Sequence, residues 1–97
     1  MYAFYNVTDT VITETIKRTI LGYGFVYIKQ AQEFANDLFK PYVNCDVYTD
    51  NESKERAYII KNDENLKVCV IFCNKRIDGT YKHEKRIHII KIEKVFL

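Results

Sequence analysis

The stretches Leu66-Lys67-Val68-Cys69-Val70-Ile71-Phe72-Cys73 and Arg86-Ile87-His88-Ile89-Ile90-Lys91-Ile92, on either side of the pair Asp78-Gly79, decide the fold of this chain. Two apolar, β-branched runs around an Asp-Gly pair predict a long β-hairpin, because Gly and Asp tolerate the positive φ of a tight turn. A two-residue turn would pair Ile77 with Thr80, Val70 with Ile87 and Val68 with Ile89. Both faces of the first run are apolar, which predicts a central strand that is covered, at least in part, on both sides.

Length and composition indicate one domain over residues 1–97. The hydrophobic fraction of 47% is that of a globular protein and argues against disorder. No stretch approaches the roughly 20 apolar residues that a membrane helix needs, so no membrane association is expected. Three cysteines and the absence of a signal-peptide pattern favour a reduced, cytoplasmic location.

The N-terminal part predicts a strand and then a helix. Tyr2 to Val7 is apolar and aromatic, as in a short strand. A helix is predicted from about Thr10 to Leu21, because Ile12, Ile16 and Ile20 recur every four residues and Gly22 follows as a C-terminal cap. The same spacing also suits a strand, but Glu14 and Arg18 would then share the apolar face.

The middle of the chain predicts a second helix and further strands. Gly22-Tyr23-Gly24 is interpreted as a turn, and residues 25–28 as a short strand or as the start of the next helix. That helix is predicted over Ala31 to Lys40, ended by Pro41. Strands are predicted at residues 43–48 and 56–61, with a polar loop at 49–55 and a turn at 62–65. The predicted fold class is α+β: two N-terminal helices packed on a mainly antiparallel sheet of four to six strands that ends in the long C-terminal hairpin.

The end of the hairpin is the predicted binding site. Residues 75–94 carry seven lysines and arginines against three carboxylates, whereas the rest of the chain has a small negative balance. Cations suit phosphate or an acidic protein surface, and a tyrosine ring suits stacking. A solvated hairpin end, charged for solubility, is the alternative interpretation. The predicted binding residues are Lys75, Arg76, Tyr81, Lys82, His83, Lys85 and Arg86.

Metal binding and catalysis have little support in the sequence. Cys69 and Cys73 would lie about 13 Å apart along a strand, too far to share one ion, and His83 and His88 would face opposite sides. No known nucleophile or carboxylate motif occurs. We therefore predict no metal, no cofactor and no catalytic residue, and interpret Cys45, Cys69 and Cys73 as small buried hydrophobic residues.

Two resemblances suggest functions. Helices before a C-terminal antiparallel sheet with basic residues near its end are similar in order to RelE-type ribonuclease toxins, and no motif matches residue by residue. That likeness implies phosphate binding and proton transfer by residues such as His83 and His88, with Tyr81, Lys82, Lys85 and Arg86. The small size and the composition rich in Ile, Lys, Asn and Tyr resemble short proteins of phages and mobile elements, many of which inhibit a host nuclease or defence complex by binding it.

These observations lead to one expected function and one alternative. We expect a small non-enzymatic binding protein, such as a phage or mobile-element inhibitor, that contacts a protein partner more readily than a nucleic acid. The alternative is a nucleic-acid-binding module or a RelE-type ribonuclease. A homodimer through an edge strand is also open. Replacing Lys82, Lys85 and Arg86 by Glu should abolish binding while leaving the fold intact.

Overall fold

The computed structural model describes residues 2–43, 53–77 and 79–97, without the side chains of residues 53, 54, 75–77 and 81. The described residues form one helix and five strands. The strands make one antiparallel sheet in the order β2-β1-β5-β4-β3. Their bounds are β1 Ala3–Ile12, β2 Ile16–Phe25, α1 Ile28–Val43, β3 Ser53–Asn62, β4 Leu66–Ile77 and β5 Thr80–Phe96.

The predicted C-terminal hairpin and its register are confirmed. Ile77 pairs with Thr80, Val70 with Ile87, and Val68 with Ile89. Gly79 has a φ of 79°, the left-handed conformation that glycine adopts at the least cost. The Asp-Gly pair and the two β-branched runs therefore determine this hairpin locally.

The prediction of two N-terminal helices is wrong, because residues 10–21 form the end of β1, a turn and most of β2. Ile16 and Ile20 share one face of β2, since a spacing of four is an even number and keeps side chains on one side of a strand. Ile12 lies on the same face because it pairs with Ile16 across the turn. Glu14 and Arg18 were expected to lie on the apolar face of such a strand. In the structure Glu14 lies in the turn, and Arg18 forms an ion pair with Glu93 of β5. Pairing of residues 10–12 with β5, and of β2 with β1, has overridden the helical interpretation.

The second predicted helix exists with different limits. The chain enters it at Tyr27, whose carbonyl accepts hydrogen bonds from the backbone N–H groups of Gln30 and Ala31. Pro41 lies in the last turn and does not stop the helix before it. Gly22-Tyr23-Gly24, interpreted as a turn, lies within β2 at an irregularity in its pairing with β1, and there the Gly24 N–H donates to Asn6 Oδ1 at 3.1 Å.

The other predicted elements of the middle region are partly described. The predicted strand at 56–61 is confirmed within β3. Val43, predicted to begin a strand, is the last residue of the helix. The rest of that predicted strand, including Cys45, and most of the predicted loop lie outside the described residues.

The core lies between α1 and one face of the sheet. Ala31, Ala35 and Phe39, spaced four apart on the helix, pack on a sheet floor formed by Val7, Cys69, Ile71 and Ile90. A helix of 16 residues is about 24 Å long, whereas β5, with 17 residues, extends for about 57 Å. The helix therefore covers less than half of the length of the sheet, on one face.

The prediction of a central strand covered on both faces does not fit β4. The central strand is β5, and β4 lies between it and the edge strand β3. Cys69 and Ile71 of β4 are buried beneath the helix, but Phe72, on the opposite face, is 45% exposed. An apolar run with two apolar faces thus has one face that no described element covers.

One buried charge fixes the turn between β3 and β4. The side chain of Lys67 is buried, and its Nζ donates to Asn62 Oδ1 at 2.7 Å and to the Asp63 carbonyl at 3.0 Å. The Nζ also lies 5.8 Å from the centre of the Phe39 ring. Burial lowers the pKa of the Lys67 ammonium below its ordinary value.

Candidate functional site

The end of the hairpin projects past the helix and past the end of β1. Pairing of β1 with β5 stops at Ile12 and Ile87, whereas β5 continues its pairing with β4 to Thr80. The three predicted binding residues Lys75, Arg76 and Tyr81 lie in this part of the strands, and their side chains are outside the description. The other four predicted residues alternate between the two faces: Lys82 and Arg86 are on the helix side, and His83 and Lys85 are on the opposite side.

Lys82, His83, Lys85 and Arg86 line a single cleft. Its volume is about 450 Å³, and both β5 and the turn that joins β1 to β2 contribute to its lining. The structure brings these four residues to one cleft, which they reach from both faces of one strand. The full lining is Thr13, Glu14, Thr15, Cys73, Lys82, His83, Glu84, Lys85 and Arg86.

Arg86 belongs to a polar network and is not a solvated tip residue. Its Nε donates to His88 Nε2 at 3.0 Å, and its terminal nitrogen forms an ion pair with Glu55 Oε1 at 3.2 Å. Because Arg86 donates to Nε2, a neutral His88 ring carries its proton on Nδ1, where it donates to the Asp9 carboxylate at 3.1 Å. Four side chains from three strands are thereby joined at the end of the helix, where the Tyr42 ring packs 5.5 Å from the His88 ring.

This geometry does not favour acid–base catalysis by His88. Both ring nitrogens are engaged, and the residue is only 8% exposed. A general base must reach the proton that it removes, and here Arg86 stands between His88 Nε2 and the cleft. We interpret the network as a structural one that fastens β1, β3 and β5 to each other.

Cys69 lies beside this network as a neutral thiol. Burial raises the pKa of the Cys69 thiol to about 11, and the Asp9 carboxylate adds to the effect. The thiolate is the nucleophilic form of cysteine, so Cys69 is poorly suited to nucleophilic catalysis. Within the described ranges, no three His, Cys, Asp or Glu side chains group closely enough to hold a metal ion.

The face opposite the helix carries an apolar row that spans all five strands. Neighbouring partners in the register place one side chain from each strand in a line across the sheet. Its two ends are the most open, with Ile16 73% and Tyr58 47% exposed. We call this surface the open face, and its row consists of Ile16, Ile12, Ile87, Val70 and Tyr58.

Cations flank the row on the side of the hairpin end. Lys85, Phe72 and Arg56 are neighbours across β5, β4 and β3. The Lys85 ammonium lies 6.0 Å from the centre of the Phe72 ring, and the Arg56 guanidinium lies 5.9 Å from that of Tyr58. The two rings meet edge to face at 5.6 Å. His83, one position farther along the same face, contacts Asn74 through Nδ1.

Sequence reasoning singled out the cationic residues near the hairpin end and did not single out the residues that the structure places beside them. Asp9, Glu55, Arg56 and the open-face row were not predicted, because their meeting depends on pairings between distant strands. The apolar alternation on both faces of β4 was the available signal. Such alternation predicts a strand whose two faces are covered by other elements of the chain, but it also fits a strand with one face available for a partner.

Comparison of the chain with protein-family models, with curated proteins and with solved structures finds no match. The order of elements in this chain also differs from the one that suggested a likeness to RelE-type toxins, because a β-hairpin replaces the first helix. In the part of the chain that the structure describes, no helix is long and apolar enough to span a membrane.

Proposed function

We propose that this protein is a non-enzymatic protein-binding domain that holds its partner on the open face. The observation that carries the proposal is the apolar row across five strands, which no described element of the chain covers. Contiguous exposed apolar surface with a polar rim is typical of protein interaction sites. An inhibitor that acts by binding its target, as the size and composition of the chain lead us to expect, would be one protein of this kind.

The charges beside the row support an acidic partner. Arg56, Lys85 and Lys91 lie on the open face, whereas Glu93, on the same face, is neutralised by Arg18. Two copies packed through this face would bring cations against cations, which is unfavourable. A partner with carboxylates around an apolar centre would complement the face.

An edge-strand homodimer is a separate proposal with less support. The outer strands of the sheet are β2 and β3. Each carries exposed cations along its length, such as Lys17 in β2 and Lys61 in β3, and lysines on edge strands oppose pairing with another edge.

The test is capture of the partner by matched variants, from a lysate of the cells that make the protein. The open-face variant carries Ile16→Asp and Tyr58→Asp. The control carries Val26→Asp and Tyr27→Asp, which lie between β2 and the helix and are 65% and 68% exposed. We expect a protein that survives nuclease treatment to bind the wild type and the control, and to be lost by the open-face variant. Equal retention by both variants would refute the proposal.

One observation favours a second function, binding of single-stranded nucleic acid. Two half-exposed aromatic rings, Phe72 and Tyr58, each with a cation nearby, provide the groups on which bases stack. The test is fluorescence anisotropy with a labelled 12-nucleotide single strand. This function predicts at least a tenfold loss of affinity for Phe72→Ala and a steep decrease with salt. The aliphatic centre of the row makes a protein partner the better fit.

A further inference from the structure

We propose that the open face binds one amphipathic α-helix of the partner, which lies across the strands and carries carboxylates on both of its flanks. This inference rests on the proposed function and deepens it by naming the partner's element and its orientation. It follows from the dimensions of the apolar area, from the positions of the cations around it, and from the hydrogen bonds that the face of a sheet cannot supply.

Two rows of side chains lie next to each other on the open face. The second row is adjacent to the first along the strands, and it contains Thr10, Ile89 and Val68 between Arg18 and Lys61. Neighbouring strands are about 4.8 Å apart, so each row of five is about 19 Å long. A helix that spans this length has about 13 residues, because an α-helix rises about 1.5 Å per residue.

Lysines border the two rows on both sides. On the open face of β5, Lys85 precedes Ile87 and Ile89, and Lys91 follows them. The six positions from Lys85 to Lys91 measure about 20 Å. One helix, about 10 to 12 Å wide with its side chains, fits between these lysines and brings a flank toward each of them. The site therefore has the width of a single helix.

The spacing of the cations suits the repeat of a helix. Lys85 and Arg56 lie on the same side of the rows, on β5 and β3, two strands and about 10 Å apart. Helical residues seven positions apart lie on one flank at a distance of about 10.5 Å. Two carboxylates at that spacing would face Lys85 and Arg56, and one on the other flank would face Lys91.

Two further cations of the open face already have acidic partners. Arg18 pairs with Glu93, and Lys61 pairs with Asp63 at 3.3 Å. Glu14 lies in the turn at the β2 end of the rows, where it would repel a carboxylate. We therefore expect the acidic positions of the partner helix to lie over β3 to β5 and not over that turn.

Backbone hydrogen bonding favours a helix over an extended segment. The N–H and C=O groups of a strand point toward its neighbours in the plane of the sheet, so the open face presents side chains only. A segment laid on apolar side chains must pair its own backbone groups, because unpaired buried groups are costly. A helix pairs them within one segment. On the opposite face of this sheet, α1 packs on Val7, Cys69 and Ile90 in the same manner.

The experiment uses a defined probe, a blocked peptide of about 16 residues with leucine along one helical face, glutamate on both flanks and alanine elsewhere. It is titrated into the ¹⁵N-labelled full chain at concentrations where the peptide alone is monomeric. We expect amide shifts at residues 10–12, 68–72 and 85–91. A version with lysine in place of glutamate should bind at least tenfold more weakly. Absence of shifts in these ranges, or equal binding of the two peptides, would overturn the proposal.

Two altered versions of the acidic peptide test the helical mode of binding. A central proline removes a hydrogen bond from a helix and clashes with its preceding turn, but an extended segment tolerates it. Rearrangement of the same residues, so that the leucines no longer share one face, removes the apolar stripe. We expect each version to bind at least tenfold more weakly than the parent. Equal binding of the proline version would assign the face to an extended segment and overturn the proposal.

Matched charge reversals on the protein test the orientation. Lys85→Glu with Lys91→Glu reverses the charge on both sides of the rows. The control, Lys17→Glu with Lys29→Glu, changes the net charge equally at exposed residues off the open face. We expect the first variant to bind the acidic peptide at least tenfold more weakly and to prefer the lysine version, and the control to bind within threefold of the wild type. Equal losses in the two variants would show that net charge alone holds the peptide, and would overturn the proposal.

The accessibility of the rows in the protein alone provides a further test. A soluble gadolinium chelate should broaden the methyl signals of Val70, Ile87 and Ile89 more strongly than those of Ile71 and Ile90, which are buried beneath the helix. Equal protection of the two sets would show that another part of the chain or a second copy covers the rows. That result would overturn the proposal.

The outcomes separate this inference from the proposed function. If capture of the partner depends on Ile16 and Tyr58 but the proline peptide binds like its parent, the helical inference alone fails. If the peptide binds the open face but capture is insensitive to the open-face variant, the proposed function fails. A dimer of the protein that the open-face variant disrupts would overturn both, because a second copy would occupy the rows. Displacement of the peptide by the labelled single strand would assign the face to nucleic acid and would also overturn the inference.

Discussion

Replacement of Arg86 by alanine tests whether this residue is structural. If Arg86 were a solvated residue of the hairpin end, its loss would cost little, as for most surface substitutions. In the structure its Nε satisfies His88 Nε2 and its terminal nitrogen pairs with Glu55. The expected cost is therefore that of breaking a partly buried network.

The magnitude follows from these two contacts. Both members of the Arg86–Glu55 pair keep about 30% of their side-chain surface, so solvent screening limits that contact to roughly 0.5 to 1 kcal/mol. His88 is 8% exposed, and leaving its Nε2 without a donor costs about 1 to 3 kcal/mol. The free energy of unfolding should fall by about 1.5 to 4 kcal/mol. For a domain of this size, that is roughly 6 to 30 °C in Tm.

The assay is urea unfolding at pH 7, monitored by circular dichroism, with Lys85→Ala as the matched control. Lys85 is the adjacent cation, is exposed and points to the open face, so its loss should stay within about 0.5 kcal/mol. In a double-mutant cycle, Arg86→Ala and Glu55→Ala should show a coupling energy of about 0.5 to 1 kcal/mol. If Arg86→Ala and Lys85→Ala have the same small effect, the network does not stabilise the fold. This also limits charge reversal of Lys82, Lys85 and Arg86: of these three, Lys82 and Lys85 are expected to be replaceable without loss of stability, and Arg86 is not.

Three further predictions concern the core. Gly22→Ala should lower the free energy of unfolding by about 1 to 3 kcal/mol in urea, because its Cβ would lie 2.7 Å from the Phe34 ring and 2.8 Å from that of Phe25; an unchanged midpoint would contradict this packing. Burial keeps the Cys69 thiol protonated, so Cys69 should resist alkylation by iodoacetamide at pH 8 in the folded chain and react in guanidinium. Mass spectrometry of the peptide that contains Cys69 measures the extent of alkylation. Rapid alkylation of the folded chain would refute this prediction. The pKa of Lys67 is lowered in the folded state, so between that pKa and 10.5 the unfolded chain binds more protons than the folded chain, and the contribution of Lys67 to stability rises with pH. The difference in unfolding free energy between the wild type and Lys67→Met should therefore increase from pH 8 to pH 10. A constant difference would exclude this effect.

The positive charge of the candidate site was the one property of the site that could be predicted from the sequence. The cluster of lysines and arginines near Gly79 is visible in one dimension, and three of its members, Lys82, Lys85 and Arg86, line the cleft. The assignment of Arg86 to a partly buried network required Asp9 and Glu55, which lie 77 and 31 positions away along the chain. The open face required the order of five strands, since its row takes one residue from each. A single sequence does not reveal these distant pairings.

The sequence by itself determined the C-terminal hairpin, the strand at 56–61 and the existence of the helix around Ala31 to Lys40. Those elements follow from local chemistry: an Asp-Gly turn, β-branched runs, and apolar residues at helical spacing. Only the tertiary structure decided residues 10–21. Their isoleucines at a spacing of four fit one face of a helix and one face of a strand equally well. The choice was made by pairing of β1 with β5 and of β2 with β1, whose hydrogen bonds and apolar side chains outweigh a local helical preference. The tertiary structure also decided where the pairing of β1 with β5 ends, at Ile12 and Ile87.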